Sequence, residues 1–118
     1  MANFTKLILS GSVDGRNIRI VATATPGTTI HTATASTGSD SCDEVYLWAG
    51  STSASYINMT VQTSDSADMA SYNVRVPPAY AGLIPVIPGF PYRNGVVLTA
   101  TASSPVNISG FVNRISAQ

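Results

Sequence analysis

An all-β sandwich is predicted by three features of this 118-residue chain. Apolar residues recur at every second position, which is the periodicity of half-buried strands. Gly, Pro and Asn turns punctuate those runs, and no stretch carries the 3.6-residue period of an amphipathic helix. The pattern predicts roughly eight short strands in two antiparallel sheets, of the jelly-roll or immunoglobulin-like kind. One two-layer core fits this length and two do not, so residues 1–118 are read as a single domain.

The elements follow in order. Residues 5–13 form an apolar-rich run that meets Asp14-Gly15, a dipeptide suited to a two-residue type I′ turn. Residues 17–25 then run back with Ile18, Ile20, Ala22 and Ala24 on one face, so a hairpin is predicted here. After Pro26-Gly27, residues 28–34 make a short β-branched run containing His31. A polar loop leads to residues 43–50, where Val45, Leu47 and Ala49 alternate with Glu44, Tyr46 and Trp48. In residues 56–63, Ile57, Met59 and Val61 should point inward. Residues 64–70 offer the one plausible helical turn, too short to persist without packing. Tyr72, Val74 and Val76 define the next strand face.

Residues 77–91 hold five of the seven prolines together with Tyr80, Leu83, Ile84, Val86, Ile87 and Phe90. Proline donates no ladder hydrogen bond, so this apolar segment must be an edge strand or a surface ribbon. Asn94-Gly95 turns the chain into residues 96–102, and Pro105 opens the last strand, 106–115. That strand breaks parity: Val106, Ile108 and Val112 share one face, Phe111 and Ile115 the other. Either Gly110 marks a bulge or the strand is covered on both faces.

Composition narrows function. The chain has six basic and six acidic residues and no net charge, while about a quarter of it is Ser or Thr. It therefore lacks the charged coat that keeps small domains apart, and its neutral strand faces suit an assembly module. The scattered basic residues make no nucleic-acid stripe. No apolar run reaches the roughly 18 residues of a membrane-spanning helix, and the N-terminus has no signal-peptide pattern, so cytoplasmic synthesis is expected. The lone Cys42 forms no internal disulfide framework.

Candidate chemistry is sparse. Triad catalysis would depend on His31, for which hydrogen-bonded structural duty is the stronger expectation. Asp43 and Glu44, adjacent on a strand, should leave opposite faces and make no carboxylate pair. One His and one Cys cannot cluster as a transition-metal site, and the loop aspartates fall short of a calcium loop; no cofactor or metal is expected. The Asn-x-Ser/Thr matches at Asn3, Asn58 and Asn107 carry little weight in so hydroxyl-rich a chain. Trp48 and the tyrosines could stack on a sugar, but packing in a core or interface is expected of them instead.

The segments Thr25-Pro-Gly-Thr-Thr-Ile-His-Thr-Ala33, Asp43-Glu-Val-Tyr-Leu-Trp48, Val86-Ile-Pro-Gly89 and Asn107-Ile-Ser-Gly-Phe-Val-Asn-Arg-Ile115 resemble small structural proteins of tailed bacteriophages. The resemblance implies a non-enzymatic virion component, a capsid decoration (cement) protein bound to the major capsid protein as an oligomer, commonly a homotrimer. It would sit on the capsid surface and bind neither nucleic acid nor membrane. A tail or neck component, or a receptor- or glycan-binding module, is the alternative. Partner contacts are expected from Tyr80, Leu83, Ile84, Phe90 and Tyr92 of the proline-rich ribbon and from Phe111 of the last strand.

Overall fold

The alternation of residues 42–50 places the centre of the fold. In the computed structural model, Val45, Leu47 and Ala49 are fully buried while Tyr46 and Trp48 stand on the opposite face. The structure describes residues 3–23, 27–38, 41–63, 71–79 and 82–116, with the backbone alone at 71 and 72. Nine strands are present among them: β1 (Asn3–Ile8), β2 (Ile18–Ile20), β3 (Thr28–Thr32), β4 (Cys42–Gly50), β5 (Ile57–Thr63), β6 (Ser71–Val76), β7 (Ile84–Tyr92), β8 (Val97–Ala102) and β9 (Val106–Ser116). They form two antiparallel sheets, β1-β9-β4-β7 with β2 also on β9, and β3-β8-β5-β6. The two-sheet β-sandwich predicted from the alternation is the fold.

Its core lies between the sheets. Ile18, Ile20, Val45, Leu47, Val106, Ile108 and Val112 meet Ile30, Ile57, Met59, Val61, Val76, Leu98 and Ala100 there. Burial of such side chains, at about 1.5–3 kcal/mol each, is the main stabilising term. The inward set of β5 is the predicted one. The expected helical turn at 64–70 lies outside the described residues.

The predicted hairpin does not form. Asp14 and Gly15 do adopt positive φ, 54° and 80°, and Arg16 N–H closes their turn on Val13 C=O. Yet β1 and β2 both pair with β9, end to end along one side of it, and not with each other. Between them the chain crosses to the other sheet, burying Leu9 and donating Gly11 N–H to Ile30 C=O. The turn is local chemistry; the strand partner is decided by which neighbour buries Ile18 and Ile20.

The edge-strand reading of the proline ribbon is realised in β7, which among the described residues pairs with β4 alone. Its register slips twice, leaving Val86 and Gly89 as extra residues, so that Pro85, Pro88 and Pro91 face Trp48, Tyr46 and Glu44. Counted without those two bulges, the prolines occupy alternate positions of one phase. All three can then turn the nitrogen outward, where a missing N–H costs the ladder nothing.

The last strand resolves in favour of two apolar faces. Its register with β4 runs unbroken from Cys42↔Ile115 to Gly50↔Asn107, so there is no bulge at Gly110. Gly110 is needed for a different reason: a Cβ there would lie 2.1 Å from the Tyr46 carbonyl oxygen.

Candidate functional site

The register of the β1-β9-β4-β7 sheet collects its aromatic residues on the outside. Ile8 faces Phe111, Phe111 faces Tyr46 and Tyr46 faces Pro88, while Phe4 faces Ile115, and Ser109 faces Trp48, which faces Pro85. The Phe111 ring stacks on Tyr46 at a centroid separation of 4.9 Å and on Trp48 at 6.0 Å. From the β1 side, Lys6 Nζ lies 4.8 Å from the same ring. Tyr46 donates its hydroxyl to Glu44 Oε1 at 2.6 Å, and this bond pushes the phenol pKa above its ordinary value. At the rim Phe4 is 73% exposed and Ile8 52%. The rings and prolines thus lie side by side on this face, in company with Lys6, Glu44, Ser109 and Asn113.

The other outer face has different chemistry. Register places Thr29, Thr32, Thr99, Thr101, Asn58, Thr60, Gln62 and Asn73 on the outside of the β3-β8-β5-β6 sheet. Thr60 donates to Asn73 across two strands, and Arg75 lies over the Tyr56 ring at 4.5 Å. One side of the sandwich is aromatic and the other hydroxyl-rich.

At one end of the core a polar clamp ties the sheets together. A β-bulge at Ile30 lets two successive residues, Ile30 and His31, turn inward. Ser10 N–H donates to His31 Nδ1, which makes Nε2 the protonated nitrogen, and Nε2 donates to Asp43 Oδ2 at 2.8 Å. Arg114 grips the same carboxylate through Nε at 2.7 Å and Nη2 at 2.9 Å, and Thr34 N–H donates to it at 3.0 Å. Burial pushes the Asp43 carboxyl upward, but the hydrogen bonds from Arg114 and then His31 outweigh it and hold it below the ordinary aspartate range. Both His31 nitrogens are thus engaged inside the fold, with the side chain 2% exposed.

The sequence signal for this clamp was parity. Asp43 shares the inward face of Val45, and Arg114 that of Val112, so two opposite charges occupy core positions of neighbouring strands. Asp43 and Glu44 do leave opposite faces, as their adjacency requires. Among the described residues no three His, Cys, Asp or Glu side chains gather in the manner of a metal site.

The expected contact residues separate into groups. Phe111 stands at the centre of the aromatic face. Leu83, 57% exposed, precedes β7 and packs near Gly50, and Phe90, 44% exposed, lies on the edge strand opposite Val45. Ile84 and Tyr92 turn toward the core and pack against it. Tyr80 lies outside the described residues. Trp48, expected in a core or an interface, is on the outer face, and the sequence reading did not bring it, Tyr46, Phe4 and Ile8 together, because that required the β1-β9-β4 order.

Fold and site together define a β-sandwich with a built-in polar clamp and one aromatic outer face. No family model, curated protein or solved structure matches the chain.

Proposed function

We propose that this protein is a non-enzymatic structural component of a virion, a decoration protein that binds the outside of a phage capsid and bridges neighbouring copies of the major capsid protein. The observation that carries the reading is the contrast between the two sheet faces. The aromatic face of β1-β9-β4-β7 supplies stacked rings and prolines that gain from being covered, and the hydroxyl-rich face suits permanent contact with water. A protein that binds only the assembled shell stabilises it by mass action, with no charge network or catalytic group required. The resemblance of the strand segments to phage structural proteins supplies the kind of shell.

A glycan-binding role is the second reading, favoured by the ring cluster itself. Sugar stacking needs an open ring face. Phe111 meets Tyr46 and Trp48 on its β4 side and Lys6 on its β1 side, which favours a protein interface. Quantitative mass spectrometry of purified particles, beside a glycan array probed with the isolated protein, separates the two. Stoichiometric copies on particles with no array signal support decoration. Absence from particles overturns it.

A further inference from the structure

The two edges of the β1-β9-β4-β7 sheet are built differently. On β7 the prolines at 85, 88 and 91 stand opposite Trp48, Tyr46 and Glu44, and with no N–H to give β4 they turn their ring nitrogens to the outer edge, which closes that edge to a further strand. The same pairing sets the phase across the sheet, because a residue of an antiparallel strand bonds one neighbour or the other. Trp48, Tyr46 and Glu44 therefore bond Ser109, Phe111 and Asn113, and the alternate residues Val112 and Arg114 bond Leu7 and Thr5. Phe4, Lys6 and Ile8 turn their main-chain N–H and C=O groups away from β9. No proline stands there, and among the described residues no strand pairs with that side of β1.

We propose that this edge pairs with β1 of a second copy, antiparallel, about a two-fold axis at Thr5. In that register Phe4 and Lys6 exchange main-chain hydrogen bonds with Lys6 and Phe4 of the copy, and Thr5 faces Thr5, a favourable cross-strand pair. Lys6, already lying over Phe111, meets the otherwise exposed Phe4 ring of the copy, so cation and aromatic complement each other. A register centred on Lys6 would instead set like charges face to face. Pairing at Thr5 joins the two aromatic faces into one surface, and a proline-closed β7 then stands at either end. Growth through this sheet stops at two copies. In the second sheet, the edge of β3 is already occupied by Gly11 N–H on Ile30 C=O and by Thr32 N–H on Ser10 Oγ. The contact is two-fold, unlike the trimer implied by the phage resemblance, and it stands independently of the virion reading.

Light scattering after size exclusion, with sedimentation analysis, tests it on the full chain. Lys6→Pro copies the β7 device onto an outward N–H and leaves the β9 ladder intact. The wild type is expected to form a reversible dimer, and Lys6→Pro to weaken it by about tenfold or more with an unchanged circular dichroism spectrum. Thr5→Cys, in a Cys42→Ser background, should form an intermolecular disulfide on oxidation, since Cα atoms of such a pair lie about 4.5 Å apart. A wild type that stays monomeric at about 1 mM, a trimer, or a dimer indifferent to Lys6→Pro overturns the proposal. If Lys6→Pro fails to fold, the Thr5→Cys cross-link decides alone, and its absence overturns the pairing.

Discussion

Asp43 and Arg114 stand directly opposite each other on β4 and β9, and the guanidinium holds the carboxylate at two points, 2.7 and 2.9 Å. His31 and Thr34 complete the carboxylate from the side of the other sheet. A charge at a core position is tolerated because four donors, two of them from a guanidinium, reach its carboxylate oxygens. The clamp fixes how the two sheets meet at this end of the sandwich.

Asp43→Ala should therefore destabilise the fold far more than a surface change. It leaves the His31 Nε2–H and the Thr34 N–H without their acceptor and Arg114 without its counter-charge. A loss of about 3 kcal/mol is expected, at the low end for broken buried pairs because Arg114 remains 35% exposed. Urea unfolding followed by tryptophan fluorescence measures it, and a loss under about 1 kcal/mol would show that the clamp is not structural.

The same carboxylate gives stability a pH dependence of known sign. Its pKa is lowered on folding, so its contribution is complete above the ordinary aspartate value of about 3.9 and is lost as pH falls through the lower folded value. The urea midpoint should fall below about pH 4, and Asp43→Asn should flatten that dependence. Parallel profiles for the two proteins would remove Asp43 as the cause.

Gly110→Ala tests the close approach of β9 to β4. The added methyl would sit 2.1 Å from a backbone oxygen, which no rotamer relieves. The two central strands must separate, and a destabilisation of about 3 kcal/mol or more is expected in thermal unfolding. A neutral substitution would contradict the strand register.

How far the sequence could be read is visible in three places. Alternation in residues 43–50 and 56–63 was enough to separate core from surface, because the period of a strand is fixed by backbone geometry. The Asp14-Gly15 and Asn94-Gly95 turns were legible as turns, and both pairs adopt positive φ. Neither joins two strands of a hairpin, since pairing depends on long-range burial and not on turn chemistry. The aromatic face was hidden for the same reason: Phe4, Phe111 and the Tyr46-Leu47-Trp48 stretch are far apart in sequence and meet only through strand order. His31 has the hydrogen-bonded structural role expected of it, but its inward placement was hidden by the bulge at Ile30, which breaks the parity that would otherwise place it outside.

Phe111→Ala removes the ring at the centre of the outer face, and Phe90→Ala removes an exposed one from the edge strand. Each should leave the fold intact, costing about 1 kcal/mol for the lost stacking at Phe111. Phe111→Ala should lower occupancy on purified particles, whereas Phe90→Ala, at a position opposite the buried Val45 and so off the outer face, should change it little. Equal occupancy of Phe111→Ala and wild-type protein would contradict the assignment of this ring to the shell contact.

The central claim, that the aromatic face docks onto a capsid, is tested most directly by cryo-electron microscopy of the native particle. The account predicts density for this sandwich on the shell exterior, with β1-β9-β4-β7 against the capsid and the threonine face of β3-β8-β5-β6 toward solvent. A particle without the protein, or one holding it by the threonine face, would contradict the claim.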